Sequence, residues 1–347
     1  MTSLLTAADR VRARAWRATT RTRAGRRLLG DRDLRLSLLA LGHLLTALAL
    51  ATVAPLPALL LGPILFGVPH IVSDVRYLLL NRERPVDRTT ILLVLTPLAL
   101  LPIARATAGM IGVDGAPLEL ALGLAAILLA IARAPLAPLA RAIVLAALVT
   151  AGVALLPRAV GVLVIVAQVH NAVALVAWLA FWRTGTLRKA ALAAFFTVAA
   201  AAILEGAFDP LLASGGAFAG LTFQSLADTF APGMDGRIVA RLVALFAFGQ
   251  ASHYAIWLRL MPQTMATGPA PLSFRRGLAR LARDLGLPGF AAAIALTLAV
   301  PAAALFSPVF ARDAYLFAAL FHGWMELAIL AHLALRARAS RGEFSPA

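Results

Sequence analysis

Residues 57–80 read PALLLGPILFGVPHIVSDVRYLLL. As a helix this run covers the roughly 30 Å of a hydrocarbon core, at about 1.5 Å per residue. It is too long for a barrel strand, and its backbone has to satisfy its own hydrogen bonds, so it reads as a transmembrane helix. His70 and Asp74 stand inside it. Ionisable side chains are costly at membrane depth, so the pair reads as a functional position.

Apolar runs of similar length recur on both sides. They place spans at 36–56, 57–80, 90–108, 117–132, 138–156, 159–182, 189–212, 238–261, 287–306 and 314–336. The expected fold is all-α, a polytopic transmembrane bundle of about ten spans with both termini cytoplasmic. Composition agrees. Hydrophobic residues make up 61% of the 347 positions and charged residues 14%, and mean hydropathy is +0.86. Soluble domains have about 45–50% and about 25%. With no cysteine, disulfides, thiolate catalysis, iron–sulfur clusters and cysteine-bound zinc are all excluded.

The net charge of +16 has a topological reading. With the N-terminus inside, all but five of the 32 basic residues fall in inner segments. The five are Arg105, Arg158, Arg237, Arg241 and Arg312. This distribution argues against nucleic acid, and the expected location is a bacterial inner membrane. Residues 1–35 form a basic cytoplasmic segment expected to lie on anionic headgroups, 36–336 the bundle, and 337–347 a cytoplasmic tail. The outer loop 213–237 reads as a lid or re-entrant segment. The inner loop 262–286 reads as an interfacial helix, with Phe274, Leu278, Leu281 and Leu285 opposite Arg275, Arg276, Arg280 and Arg283.

All six histidines fall inside apolar spans: His43, His70, His170, His253, His322 and His332. His70, His170, His253 and His322 lie on four helices running in the same direction, at similar depth. His70–Asp74 and His322–Glu326 are spaced i,i+4, which puts a nitrogen and an oxygen on one helix face. Imidazole with carboxylate suits non-haem Fe(II), which needs open positions for dioxygen and substrate. The expected metal ligands are His70, His170, His253 and His322. Asp74 and Glu326 are then catalytic carboxylates, on the metal or bonded to a ligand's second ring nitrogen. His43 and His332 read as helix-packing residues. Glu205 and Asp209 read as solvated or helix-pairing. Trp257 and Trp324 lie near the histidines and could line an apolar tunnel. Pro69 is expected to kink its span, and Gly67 and Gly323 to leave room beside a ligand.

Gly67-Val68-Pro69-His70-Ile71-Val72-Ser73-Asp74 resembles the Gly-x-Pro-His-x-x-x-Asp motif of the Brp/Blh family of membrane beta-carotene dioxygenases. Phe246-Ala247-Phe248-Gly249-Gln250-Ala251-Ser252-His253 is similar to that family's later aromatic-rich helix, and His170 matches its intermediate histidine. The resemblance implies a polytopic protein that holds non-haem iron through histidines and cleaves a carotenoid to retinal. Trp257 stands where the family has a further histidine, Ala174 where it has an acid, and Ile71 where it has a small residue. His322 then reads as a replacement ligand.

Three functions follow from these residues. The leading one is an iron-dependent oxygenase whose partners are dioxygen, a lipid-soluble polyene and the bilayer. The second is a transporter or proton/cation relay using the buried His, Asp and Glu groups. The third is an electron carrier with b-type haems between histidine pairs.

Overall fold

The computed structural model describes residues 2–81, 85–212, 216–230, 236–266 and 273–339. Its helices are α1 (Thr2–Thr20), α2 (Arg23–Gly30), α3 (Arg32–Val53), α4 (Pro55–Asp74), α5 (Arg88–Ala99), α6 (Leu101–Met110), α7 (Ala116–Ala132), α8 (Pro138–Leu155), α9 (Ala159–Phe181), α10 (Thr186–Leu204), α11 (Asp209–Leu212), α12 (Phe223–Phe230), α13 (Gly236–Ala255), α14 (Met261–Thr264), α15 (Phe274–Ala304), α16 (Pro308–Ala318) and α17 (Leu320–Ala339). Wider π-helical turns follow α4 at Val75–Leu79 and α13 at Ile256–Leu260. Among the described residues the strands are β1 (Ala217–Phe218) and β2 (Leu221–Thr222). They pair antiparallel, Ala217 opposite Thr222 and Phe218 opposite Leu221.

Seven helical runs among the described residues are long and apolar enough to cross a membrane. The protein is therefore an all-helical chain suited to a bilayer. Two of these runs, Pro138–Phe181 and Phe274–Ala304, have only 6% of their apolar window buried in the protein. Leu305 and Phe306 are 86% and 92% exposed. In water such surfaces would drive association; against lipid tails they carry no penalty.

Helix ends follow local chemistry. The carboxylates of Asp31 and Asp87 accept from the backbone N–H groups of Leu34 and Thr90 at the starts of α3 and α5, which satisfies donors the helix leaves unpaired. Proline opens α4, α7, α8 and α16, where its missing N–H is not needed. The expected span 189–212 stops early, at Leu204. Gly206 takes a left-handed φ of +84° and Ala207 N–H returns to the Ala202 carbonyl, closing the helix. Arg241 seals that end, donating to the Leu204 carbonyl at 3.1 Å and to both Asp209 oxygens at 2.9 and 2.6 Å.

The interfacial helix expected in 262–286 and the span expected at 287–306 form one run, α15, broken at Gly286 with φ +68°. Residues 267–272 of that loop lie outside the described residues. The expected span 314–336 is divided at Ala319 between α16 and α17. In the loop 213–237, positions 213–215 and 231–235 lie outside the described residues, and the rest forms the hairpin, α12 and the start of α13. Of the tail 337–347, 340–347 lies outside them and 337–339 continues α17.

The interior is centred on α13, which packs against α3, α4, α9 and α10. It buries ten residues, Gln250, Ser252, His253 and Tyr254 among them. It is not among the seven apolar runs. A helix enclosed by protein need not be apolar to lipid. Nearby, α17 packs on α7, where Gly123 leaves the space filled by the Trp324 indole. Gly123→Val is expected to destabilise the fold by about 1–3 kcal/mol, the usual range for overpacking, read as a lower thermal midpoint in detergent. An unchanged midpoint would show that α7 and α17 are not in this close contact.

Candidate metal centre

Four helices each bring one imidazole to a common point: His70 on α4, His170 on α9, His253 on α13 and His322 on α17. The ring centroids of His70 lie 5.3 Å from those of His253 and 5.0 Å from His322. Those of His170 lie 5.2 Å from each of the same two rings. His253 and His322 face each other across the middle at 6.2 Å. The four rings thus form a closed quadrilateral. The ligand nitrogens of His70, His253 and His322 all lie within 4.8 Å of one another. His170 completes the ring of imidazoles but lies outside that tighter group.

The two carboxylates close the same space. Asp74 Oδ2 is 4.0 Å from His70 Nε2 on its own helix. Glu326 Oε1 is 3.3 Å from His253 Nε2, so its nearest imidazole partner is across the bundle rather than His322 one turn away. Ligand atoms of Asp74, His253 and Glu326 fall within 4.8 Å of one another. His70, Asp74, His253 and Glu326 are each 1% exposed or less, while His170 and His322 keep some accessible surface.

Backbone carbonyls set the tautomers. Nδ1 of His70, His170 and His322 lies 3.1, 2.9 and 2.7 Å from the carbonyl oxygens of Phe66, Ala167 and Ala319. A carbonyl only accepts, so each Nδ1 carries a proton and donates it. In the neutral ring Nε2 then holds the lone pair, which is the state that binds a metal. His253 Nδ1 has no hydrogen-bond partner.

The interior is left undersatisfied. Apart from the 3.3 Å approach of Glu326 Oε1 to His253 Nε2, the ring nitrogens of His253, His70 Nε2 and the oxygens of Asp74 and Glu326 are buried without a hydrogen bond. Buried polar groups are normally paired, and buried charges need compensation. A cation among these atoms would supply it. The donors are nitrogen and oxygen with no thiolate, a set that suits iron and other borderline or hard divalent ions.

The helix geometry behind the site is unusual at two matching places. A π-helical turn begins one residue after Asp74 and another three residues after His253. Such turns shift the register of a helix and are frequent at functional sites. Ser73 Oγ donates to the Trp257 carbonyl at 2.6 Å, tying the second turn to α4 beside Asp74. Gly323 stands 3.3 Å from the His170 ring, measured from where a Cβ would be, and Gly249 stands 3.0 Å from Asn171. Small residues therefore let α9, α13 and α17 approach.

Other polar residues of the sequence fall elsewhere. His332 Nδ1 donates to the Ala130 carbonyl at 3.0 Å, a helix-packing bond. His43 joins neither group of ligand atoms. Gln168 donates to the Leu242 carbonyl and Asn171 to Ala167. Asp209 pairs with Arg241. The space at Gly67 is filled by the Tyr315 ring, not left open for a ligand. Trp324 packs on Gly123, while Trp257 is buried with its ring 6.4 Å from that of His253. Sequence reasoning missed Tyr254 and Tyr315. The Tyr254 ring lies 4.6 Å from His70, and Tyr315 is within electrostatic reach of Asp74 and Glu326. The chain has only three tyrosines, and Tyr254 directly follows His253, a signal that was available.

No protein-family model matches the chain, and no curated protein or solved structure is significantly similar to it.

Titration of purified, metal-free protein with Co(II) is expected to produce ligand-field absorption. His70→Ala, His253→Ala and Glu326→Gln should each weaken binding by about 10–100-fold, as loss of ligands or their partners does. His43→Ala and His332→Ala should leave it unchanged. Equal loss in all five variants would mean that the spectrum reports folding rather than this centre.

Proposed function

We propose that the chain is a membrane-embedded non-haem iron oxygenase that cleaves or oxidises a lipid-soluble polyene such as a carotenoid. The observation that carries this reading is the clustering of four imidazoles and two carboxylates inside an apolar bundle, with His253 common to the groups His70–His253–His322 and Asp74–His253–Glu326. The Gly67–Asp74 motif, with its likeness to the Brp/Blh dioxygenases, adds to it. In this reading the chain crosses a bacterial inner membrane ten times with both termini cytoplasmic. The seven apolar runs reach ten crossings if Pro138–Phe181 turns back on itself at Leu156–Arg158 and if α7 and α13 also cross.

His70, His253 and His322 would hold Fe(II) through Nε2, with Asp74 or Glu326 as the oxygen donor. Bound there, ferrous iron supplies the redox chemistry that lets dioxygen add across a carbon–carbon double bond and leave as two carbonyl groups. Both oxygen atoms end in product, so no separate reductant is required. The chain's own residues do the rest. Phe66, Ala167 and Ala319 hold three rings in the metal-binding tautomer. The buried faces of α4 and α13 exclude water from His70 and His253. His170 and His322 keep accessible surface, and Ile165, Val169 and Val176 on α9 are strongly exposed. An apolar substrate arriving from the bilayer would meet the centre through the accessible edges of His170 and His322.

One observation favours a second reading. Two buried carboxylates with His253 between them also suit a proton or cation relay. The haem alternative is less well served, because it leaves Asp74 and Glu326 without a role.

Iron-loaded protein mixed with beta-carotene in detergent is expected to consume dioxygen and form an aldehyde, with label from ¹⁸O₂ in the product. Glu326→Gln should abolish the aldehyde while leaving the protein folded. Absence of dioxygen uptake with several carotenoids, together with proton or cation flux in proteoliposomes that depends on Asp74 and Glu326, would favour the relay instead.

A further inference from the structure

A second site lies at the Arg76 end of α4, on the other side of that helix from the histidines. It is a cavity of about 490 Å³ between α1, α4, the turn after α13 and both parts of α15. The break at Gly286 makes this shape. The segment before it and the segment after it each contribute to the wall, Leu278 and Leu281 from one, Ala293, Ile294 and Thr297 from the other.

Five arginines line the cavity: Arg12, Arg35, Arg76, Arg259 and Arg280. Among the described residues that line it, none is acidic. Arg76 pairs with Asp284, its Nη2 at 2.7 Å and Nε at 2.8 Å. Arg35 donates to the Leu29 carbonyl and lies over the Trp16 ring. Arg12, Arg259 and Arg280 bring three further positive charges to the same space. Arg12 is held there by structure. Asp9, on the same helix, accepts from the backbone N–H groups of Phe274 and Arg275 at 2.7 and 3.4 Å, and the Arg12 guanidinium lies 5.3 Å over the Phe274 ring. α1 is thus a fixed wall rather than a loose basic tail.

Like charges gathered at the edge of a low-dielectric region repel one another unless an anion joins them. Guanidinium groups match phosphate with paired hydrogen bonds. The opposite wall is apolar and runs onto the part of α15 that is almost wholly uncovered by protein. A free anion has no use for that wall, and an uncharged lipid has none for the arginines. We infer that the cavity binds one anionic phospholipid, its phosphate among Arg12, Arg259 and Arg280 and its chains along Ile294 and Thr297. The lipid would fasten α1 and the first part of α15 to the bundle. None of this requires a metal at the histidine centre.

The test is native mass spectrometry and thermal unfolding of the full chain with phosphatidylglycerol, phosphatidylcholine or inorganic phosphate. One phosphatidylglycerol should remain bound and raise the unfolding midpoint, while phosphatidylcholine and phosphate should do neither. Arg259→Gln with Arg280→Gln should weaken phosphatidylglycerol binding by about tenfold or more, given the contribution of each basic residue near an anionic surface. Both side chains are exposed, so the fold should survive. Arg280→Gln alone, expected to give a smaller loss in the same direction, serves if the double variant is poorly recovered. The control is Arg17→Gln with Arg21→Gln, the same charge change outside the cavity. Equal loss in control and test variants, equal binding of phosphatidylcholine, or protection by inorganic phosphate would each overturn the site.

Discussion

Asp74 and Glu326 have no accessible surface, and they share a pocket in which their oxygens lie within 4.8 Å of one another and of a His253 nitrogen. Removing a carboxylate from water costs several kcal/mol even after relaxation, and two at this separation also repel. Two imidazoles answer it in part, His253 at 3.3 Å from Glu326 and His70 at 4.0 Å from Asp74. A divalent cation at the centre of the four imidazoles would neutralise both carboxylates at once. It would also use the nitrogen lone pairs that the backbone carbonyls leave exposed. The rest of the architecture can be understood as the means of holding six such groups in a place that would otherwise expel them.

That holding is done by the backbone more than by the site's own side chains. Three imidazoles are fixed by carbonyls three or four residues earlier in the chain, so each ring's orientation follows from its local backbone. Ser73 joins α4 to the π-helical turn after α13, next to Asp74 in the chain. Glycines at 249 and 323 let helices close to within side-chain contact of Asn171 and His170. The enclosed position of α13 explains why the helix with the most polar interior face need not be strongly apolar. The two peripheral runs, Pro138–Phe181 and Phe274–Ala304, take the opposite role and present apolar surface to lipid.

Much of this was legible in the sequence. Apolar runs of membrane length identified a helical membrane protein. Four histidines at matching depth, two of them with an acid at i+4, identified the residues that meet. What periodicity cannot express is the rotation of one helix against another. Glu326 shares a face with His322, yet its nearest imidazole is His253, a contact fixed by packing between α13 and α17. The same limit hid Tyr315, which occupies the gap left by Gly67. Helix ends were misjudged where the deciding element was local or distant in sequence. Gly206 and the Arg241 seal shortened α10, Ala319 divided the last span, and Gly286 bent α15 without ending it.

The central claim is a shared ion among these rings, and the most direct measurement is anomalous diffraction at the iron edge from crystals of iron-loaded protein. The account predicts one peak at bonding distance, about 2.0–2.2 Å for nitrogen and oxygen ligands of this kind, from Nε2 of His70, His253 and His322 and from a carboxylate oxygen of Asp74 or Glu326. A peak elsewhere, or imidazoles turned apart around an iron-free interior, would contradict it.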